Sequence, residues 1–177
     1  MPTLVVYYSR ADENYYPEGV RSVTEGNTAK LAQAIAASCG ATLFAVQTDH
    51  QYPKSYHPCT EEAKDLLQQG FRPQLTADID VAAYDVICVG FPMWWGTMPV
   101  DLMAFLEQHQ ADFAGKKVLP FCTHEGSHFE RSLSDLQRML PGATILKGLD
   151  LFGHVAQDER KLARQQNAIE RFLAQVK

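Results

Sequence analysis

The sequence predicts an α/β fold, a three-layer sandwich in which helices cover both faces of a parallel sheet. Five short β-prone runs alternate with amphipathic segments, and this alternation is typical of parallel strands joined by right-handed helical crossovers. The first amphipathic segment has apolar residues at helical spacing, Leu31 and Ile35, and Gly40 follows as a stop signal. The predicted strands occupy residues 4–8, 42–46, 84–91, 118–122 and 143–151. Pro120 weakens the prediction of the fourth strand, because proline cannot donate to a β-ladder.

Helices are expected in the segments between these strands and after the last of them. The second opens at Thr60, the third begins after Pro99, and the last carries apolar residues from Leu162 to Val176. A single domain spanning residues 1–177 is expected, because the chain contains no repeat, low-complexity segment or linker.

Charge and composition exclude several classes of protein. A net charge of −5 gives no basic excess, which argues against nucleic-acid binding. No apolar run approaches the roughly 20 residues that cross a bilayer, so membrane insertion is not expected. A strand-like run begins at Thr3 with no basic region before it, which argues against a signal peptide. The four cysteines are scattered without a C-x-x-C pair, so a cytoplasmic protein is expected.

An aromatic loop follows the third predicted strand. Pro92 and Gly96 end the strand and mark a turn, and Met93, Trp94 and Trp95 lie between them. Ligands of open parallel sheets bind at the carboxyl ends of the strands. Two large aromatic side chains at such a place suit a flat, conjugated ligand, and they would equally suit a core-capping role.

A second candidate region joins the first strand to the first helix. Ser9 ends the strand and Gly26-Asn27-Thr28-Ala29 opens the helix, so hydroxyl groups accompany the free N–H groups of a helix N-terminus. Such a site binds phosphate without a lysine, although the same residue types also cap helices that bind nothing. The intervening residues 11–25 are polar and show neither helical nor strand periodicity.

The third candidate region, residues 123–127, follows the fourth predicted strand. His124-Glu125-Gly126-Ser127-His128 matches H-E-x-x-H, the zinc-metalloprotease signature, which requires both histidines on one helix. Gly126 and the preceding β-prone run disfavour that helix, and no third ligand follows, so no metal site is expected. All three regions fall at one edge of the predicted sheet, where together they suit a mononucleotide with a large aromatic base.

These segments resemble the flavodoxin-like FMN proteins, especially small bacterial flavodoxins and NAD(P)H-dependent oxidoreductases. The resemblance extends from Leu4 to about Leu173 and is carried by residues 8–9 with 26–29, 89–96 and 120–124. It implies a five-stranded sheet of order 2-1-3-4-5, with FMN at the switch point between strands one and three. The family's phosphate loop is a tight turn, whereas residues 11–25 are inserted here. Whether Ser9 or Arg10 reaches the phosphate is therefore left open.

Carried over by position, the resemblance implies a set of cofactor-binding residues. Those at the FMN phosphate would be Ser9, Asn27, Thr28 and Ala29, with Arg10 adding charge. Those around the isoalloxazine would be Pro92, Met93, Trp94, Trp95 and Gly96 on one side, and Thr123, His124 and Gly126 on the other side or at the pyrimidine edge. His124 would be the proton donor if one is used. The inserted segment, with Tyr15 and Tyr16, would form a flap or a partner surface.

The resemblance implies an FMN-dependent oxidoreductase of one of two kinds. The first passes two electrons from NAD(P)H to quinone-like or other small acceptors, and the second carries single electrons between partner proteins. Electron carriers use a strongly acidic surface for docking, and a net charge of −5 is modest, which favours the reductase. A non-catalytic binding module that retains the fold is the third hypothesis. The redox partner, small molecule or protein, and a homodimeric state are left open.

Overall fold

A parallel sheet forms the centre of the structure, a computed structural model that describes residues 1–177. The strands of the chain are β1 (Thr3–Tyr7), β2 (Asp12–Tyr16), β3 (Gly19–Val23), β4 (Thr42–Ala45), β5 (Val86–Pro92), β6 (Lys117–His124), β7 (Thr144–Ile145) and β8 (Leu149–Phe152). The central sheet has the order β4-β1-β5-β6-β7, and β8 also pairs with β6. With β7 and β8 counted as one interrupted strand, this is the predicted order 2-1-3-4-5. The predicted α/β fold is confirmed.

Helices cover both faces of the sheet, because alternate strand residues point to opposite faces. The helices are α1 (Asn27–Cys39), α2 (Tyr56–Gln69), α3 (Val100–Gln108), α4 (Ser132–Met139), α5 (Gly153–Gln157), α6 (Glu159–Ala163) and α7 (Gln166–Leu173). Leu4 and Val6 of β1 belong to the core under α3, whereas Val5 belongs to the core under α1 and α7. No helix is long and apolar enough to cross a bilayer.

The fifth strand is interrupted opposite Pro120. β7 pairs with Lys117 and Val118 of β6, and β8 pairs with β6 again from Phe121 onward. Pro120 has no N–H to donate to a neighbouring strand. Because the fifth strand is interrupted beside Pro120, the ladder does not require a donor at this position. A central strand therefore tolerates a proline that the sequence pattern disfavours.

Residues 11–25 form a β-hairpin, which corrects the expectation of an irregular segment. β2 and β3 pair antiparallel, with Asp12 opposite Val23 and Tyr16 opposite Gly19. Most of the hairpin is exposed or half-buried, and only Tyr16 is fully buried, so the strands lack the apolar alternation that marks a core-facing strand. Two further boundaries differ from prediction: α2 begins at Tyr56 rather than Thr60, and the last helix is divided into α5, α6 and α7.

Candidate functional site

A cavity of about 520 Å³ opens where the carboxyl ends of β5 and β6 meet α1, α2 and the hairpin. Its size is within the range of about 300–1,000 Å³ that is typical of small-molecule sites. The sequence-predicted residues that line it are Arg10, Asn27, Pro92, Met93, Trp94, Trp95, Thr123 and His124. The lining also includes Tyr15, which the sequence placed in a flap or partner surface. The other lining residues were not assigned to the site from the sequence, namely Asn14, Tyr56, His57, Cys59, Thr60, Glu61, Ala63 and Glu125. The remaining predicted residues do not line the cavity: Ser9, Gly96 and Gly126 lie in the loops beside it, and Thr28 and Ala29 lie in the first turn of α1.

The start of α1 is an open helix N-terminus. Gly26 occupies the N-cap position and has no side chain with which to cap the helix. Ser9 Oγ accepts the Ala29 N–H at 3.0 Å, which ties the end of β1 to the first helical turn. The Thr28 hydroxyl is buried and forms a 2.8 Å hydrogen bond with the Thr123 hydroxyl of β6. The free N–H groups of this turn favour an anionic ligand such as a phosphate.

The Asn27 side chain is held in one orientation. Its Oδ1 accepts hydrogen bonds from the Tyr16 hydroxyl at 2.6 Å and from Gln157 Nε2 at 2.9 Å. These two bonds assign the carbonyl end of the amide to the protein, whereas the amino group makes no hydrogen bond and lies beside Gly153, where a Cβ would come 2.5 Å from Nδ2. The buried tyrosine of the hairpin therefore helps to set the polarity of the cavity wall.

Arg10 joins the hairpin to the segment before α2 instead of turning towards the start of α1. Its guanidinium donates to the carbonyl of Glu13, and at 2.8 Å to the carbonyls of Pro53 and Lys54. The Glu13 carboxylate in turn accepts the Tyr56 N–H at 2.7 Å, at the beginning of α2. Of the two residues left open by the sequence, Ser9 is therefore the one that contacts the first turn of α1.

The aromatic loop forms a tight turn that displays both indoles to the cavity. Trp94 and Thr97 exchange backbone hydrogen bonds of 2.8 and 3.3 Å, and Trp95 and Gly96 between them have positive φ angles of 54° and 81°. The Trp94 ring is braced edge-on by Tyr8 and Tyr52, with ring centroids 5.6 and 5.2 Å away.

Trp95 occupies the outer side of the same turn. Its side chain is 44% exposed, and its indole N–H donates to the Thr60 carbonyl of α2 at 2.8 Å. Lys64 lies over the indole, with Nζ 5.0 Å from the ring centroid. Trp94 is thus fixed from behind, whereas Trp95 forms part of the cavity mouth.

His124 is fully engaged within the protein. Its buried imidazole bonds Asp150 through Nε2 at 2.7 Å, and its Nδ1 accepts the Gly126 N–H at 2.9 Å. Nε2 therefore carries the proton. Neither nitrogen is free for a ligand, so the geometry favours a positioning role for His124 over the proton-donor role that the resemblance implies.

Asp150 also bonds the exposed His128 through Nδ1 at 2.6 Å. Burial raises the pKa of the Asp150 carboxyl, but hydrogen bonds from His128 and His124 outweigh burial and lower that pKa. The result is an ionised carboxylate that holds both histidines of the loop after β6.

The same three side chains, His124, His128 and Asp150, have possible ligand atoms within 4.8 Å of one another. A metal-bound imidazole donates its second N–H to a neighbour, whereas His124 Nδ1 is an acceptor here. The H-E-x-x-H pentapeptide is not helical either, since His124 ends β6 and Glu125 bonds His154 at 2.9 Å. The arrangement is therefore a hydrogen-bonded network and does not suit a metalloprotease centre.

Comparison with known proteins gives consistent results. The protein-family model described as Flavodoxin matches residues 20–167. A Bacteroides uniformis structure described as a flavoprotein is 29% identical, covers 94% of this chain and 97% of its own, and has a TM-score of 0.71. A Bacteroides eggerthii flavoprotein is 22% identical, covers 99% of this chain and 97% of its own, and has a TM-score of 0.74. A Lactobacillus acidophilus flavoprotein in complex with FMN is 21% identical, covers 92% of this chain and 97% of its own, and has a TM-score of 0.63. No curated protein gives a significant match.

Proposed function

Because the chain belongs to the flavodoxin family, we propose that it is an FMN-dependent oxidoreductase that passes two electrons from NAD(P)H to quinone-like or other small acceptors. The observation that carries this proposal is the cavity at the carboxyl ends of β5 and β6, which combines an aromatic wall with the open start of α1. FMN, when bound, supplies the capacity to accept and release electrons, and the protein positions it and controls access.

The residues of the cavity and of the adjoining start of α1 fit FMN. The N–H groups of the first turn of α1, the Ser9 hydroxyl and the amino group of Asn27 are suited to hold the phosphate. Gly26 allows the end of β1 to approach this turn, because a Cβ there would lie 2.2 Å from Ser9 Oγ. Met93, Trp94 and Trp95 of the Pro92–Gly96 turn line the cavity where a planar ring could contact them, and the buried Thr123 also lines it.

The net reaction balances without a protein nucleophile. NAD(P)H and one proton react with a quinone to give NAD(P)⁺ and a hydroquinone, so the nicotinamide loses a hydride and the quinone gains two electrons and two protons. The protein's own contribution is to bind, orient and limit access to the reacting rings. His124 contributes by fixing the loop after β6 through Asp150 and Gly126.

The hairpin supports the reductase over the one-electron carrier. Asn14 and Tyr15 of the hairpin and the first turns of α2 line the cavity, and the Tyr15 and Tyr56 rings pack together with centroids 6.0 Å apart. These joined elements cover one side of the cavity, so a folded protein partner would have to dock on their outer surface, whereas a cavity of about 520 Å³ admits a small molecule. The carrier and a binding module without flavin are the competing functions.

Two measurements on the purified protein test the proposal. A yellow protein, or one that takes up added FMN, is expected, and failure to bind FMN would reject both redox functions in favour of the binding module. Mixing the FMN-loaded protein with NADPH and menadione should oxidise NADPH faster than an equal concentration of free FMN does. Oxidation no faster than with free FMN would reject the NAD(P)H-dependent reductase and favour the carrier.

A further inference from the structure

We propose that the mouth of the cavity is a binding site for an uncharged, planar aromatic acceptor such as a naphthoquinone. This site is formed by Tyr15 of the hairpin, Tyr56 of α2 and Trp95 of the aromatic loop, which we call the aromatic rim. The inference rests on the proposed function and names its acceptor site and the residues that select the acceptor.

The aromatic rim consists of rings that the core does not need. Tyr15 and Trp95 are 50% and 44% exposed, and both line the cavity. Tyr56 faces Tyr15, with ring centroids 6.0 Å apart and an angle of 31° between the ring planes. Two exposed aromatic side chains and the half-buried Tyr56, on three different elements that line one cavity, favour stacking against a flat ligand.

The rim is held in place by polar contacts behind it. Arg10 and Glu13 bond the hairpin to the segment around the start of α2, which connects the elements that carry Tyr15 and Tyr56. On the opposite side, the indole N–H of Trp95 is bonded to the Thr60 carbonyl of α2. All three rings are therefore attached to α2 or its N-terminal segment, which holds them in place before a ligand binds.

The charges around the cavity favour an uncharged ligand. Arg10 is the only lysine or arginine among the lining residues, and its guanidinium is bonded to backbone carbonyls. Of the lining carboxylates, Glu125 is bonded to His154 and Glu61 is exposed to solvent. The lining itself thus directs no lysine or arginine at an acceptor's phosphate or carboxylate, and Lys64, which is outside the lining, lies over the Trp95 indole with Nζ 5.0 Å from the ring centroid. A charged group on the ligand would find no ion-pair partner in the lining, whereas an aromatic ring could stack on the rings that line the cavity.

Binding can be measured without turnover. Isothermal titration of menadione into the oxidised protein, with and without FMN, should show that Tyr15→Ala and Tyr56→Ala each weaken binding at least about threefold. Tyr15→Phe keeps the ring and should bind like the wild type. Phe71→Ala removes a 37% exposed aromatic residue beyond the far end of α2 and serves as the matched control. Unchanged affinity in both alanine variants, or an equal loss in Phe71→Ala, would overturn the proposal.

A kinetic experiment separates this inference from the choice of electron donor. The FMN-loaded protein is reduced chemically and then reoxidised by menadione or by ferricyanide, a non-aromatic acceptor that needs no stacking. Relative to the wild type, Tyr15→Ala and Tyr56→Ala should each lower the ratio of the menadione rate to the ferricyanide rate several-fold. If reoxidation by both acceptors slows to the same extent, the proposal that the aromatic rim binds the acceptor is overturned.

The two proposals fail in distinguishable ways. Tyrosine-dependent reoxidation by menadione in a protein that NADPH does not reduce would leave the rim in place and reject only the donor. NADPH-driven reduction of menadione that does not depend on either tyrosine would reject the rim and leave the reductase.

Discussion

Asp150 joins two histidines of different exposure at the loop after β6. The His124 side chain is fully buried, whereas that of His128 is 62% exposed, yet both bond the same carboxylate oxygen. Loss of this oxygen would leave the buried Nε2–H of His124 without an acceptor, which is costly for a group away from water. The geometry of residues 123–128 therefore depends on the ionised state of Asp150.

The pH dependence of stability tests this role. A carboxyl whose pKa is lowered by folding stabilises the folded state above its unfolded value, and that stabilisation is lost as the pH falls through the lowered pKa. The ordinary value for Asp150 is 3.8, so the stabilisation is expected to be present at pH 5 and to disappear below about pH 3.8. Urea unfolding should thus show Asp150→Asn less stable than wild type at pH 5, with the difference shrinking towards pH 3. A constant difference would contradict this account.

The two tryptophans are expected to respond differently to truncation. Trp94→Ala removes edge contacts with Tyr8 and Tyr52, each worth about 0.5–1.5 kcal/mol, so the FMN-free protein should lose about 1–3 kcal/mol of stability in urea unfolding. Trp95→Ala removes an exposed ring and should cost about 1 kcal/mol or less. Both variants should bind FMN more weakly in a fluorescence titration. An unchanged FMN affinity in both variants would show that the flavin does not bind against this loop.

At the scale of elements, the hairpin and α2 behave as one unit. Glu13 Oε2 accepts the N–H of Tyr56 at the start of α2. Ser55 occupies the N-cap position of this helix, but its side chain makes no capping hydrogen bond. Glu13→Ala should therefore destabilise the protein by about 1 kcal/mol, the usual effect of losing a helix cap. Amide hydrogen exchange at the first turn of α2 should accelerate with it.

The matched control for this variant is Glu18→Ala in the turn of the same hairpin. The Glu18 side chain is 63% exposed and lies 3.9 Å from Arg21, a surface ion pair of little energetic value. Stability and exchange at α2 should remain as in the wild type. If the two substitutions have equal effects, Glu13 does not join the hairpin to α2.

Elements with an apolar period could be predicted from the sequence, and those without one could not. β1, β5 and α1 are buried and have the expected patterns of apolar residues, so their predictions are confirmed. The β2–β3 hairpin has only one fully buried residue, Tyr16, and is held mainly by polar contacts across distant segments, which no local pattern reveals. The break between β7 and β8 depends on the pairing partner, Pro120, and not on their own residues.

At the scale of the whole molecule, the sheet order determines which loops meet. β5 lies between β1 and β6, so the loops that follow these strands are neighbours at one edge, as the sequence predicts from their order. The contribution of α2 to the cavity could not be predicted in this way, because Tyr56 and Thr60 reach it only through the packing of α2 against the hairpin and Trp95. The aromatic rim is a property of the assembled fold.

The most direct test of the central claim is an equilibrium titration of the FMN-free protein with FMN and, in parallel, with riboflavin. Saturable quenching of flavin fluorescence is expected as FMN binds at one site per chain. Riboflavin should bind at least about tenfold more weakly than FMN, because it lacks the phosphate that the start of α1 would bind. Equal affinity for the two flavins, or no saturable binding of either, would contradict the central claim.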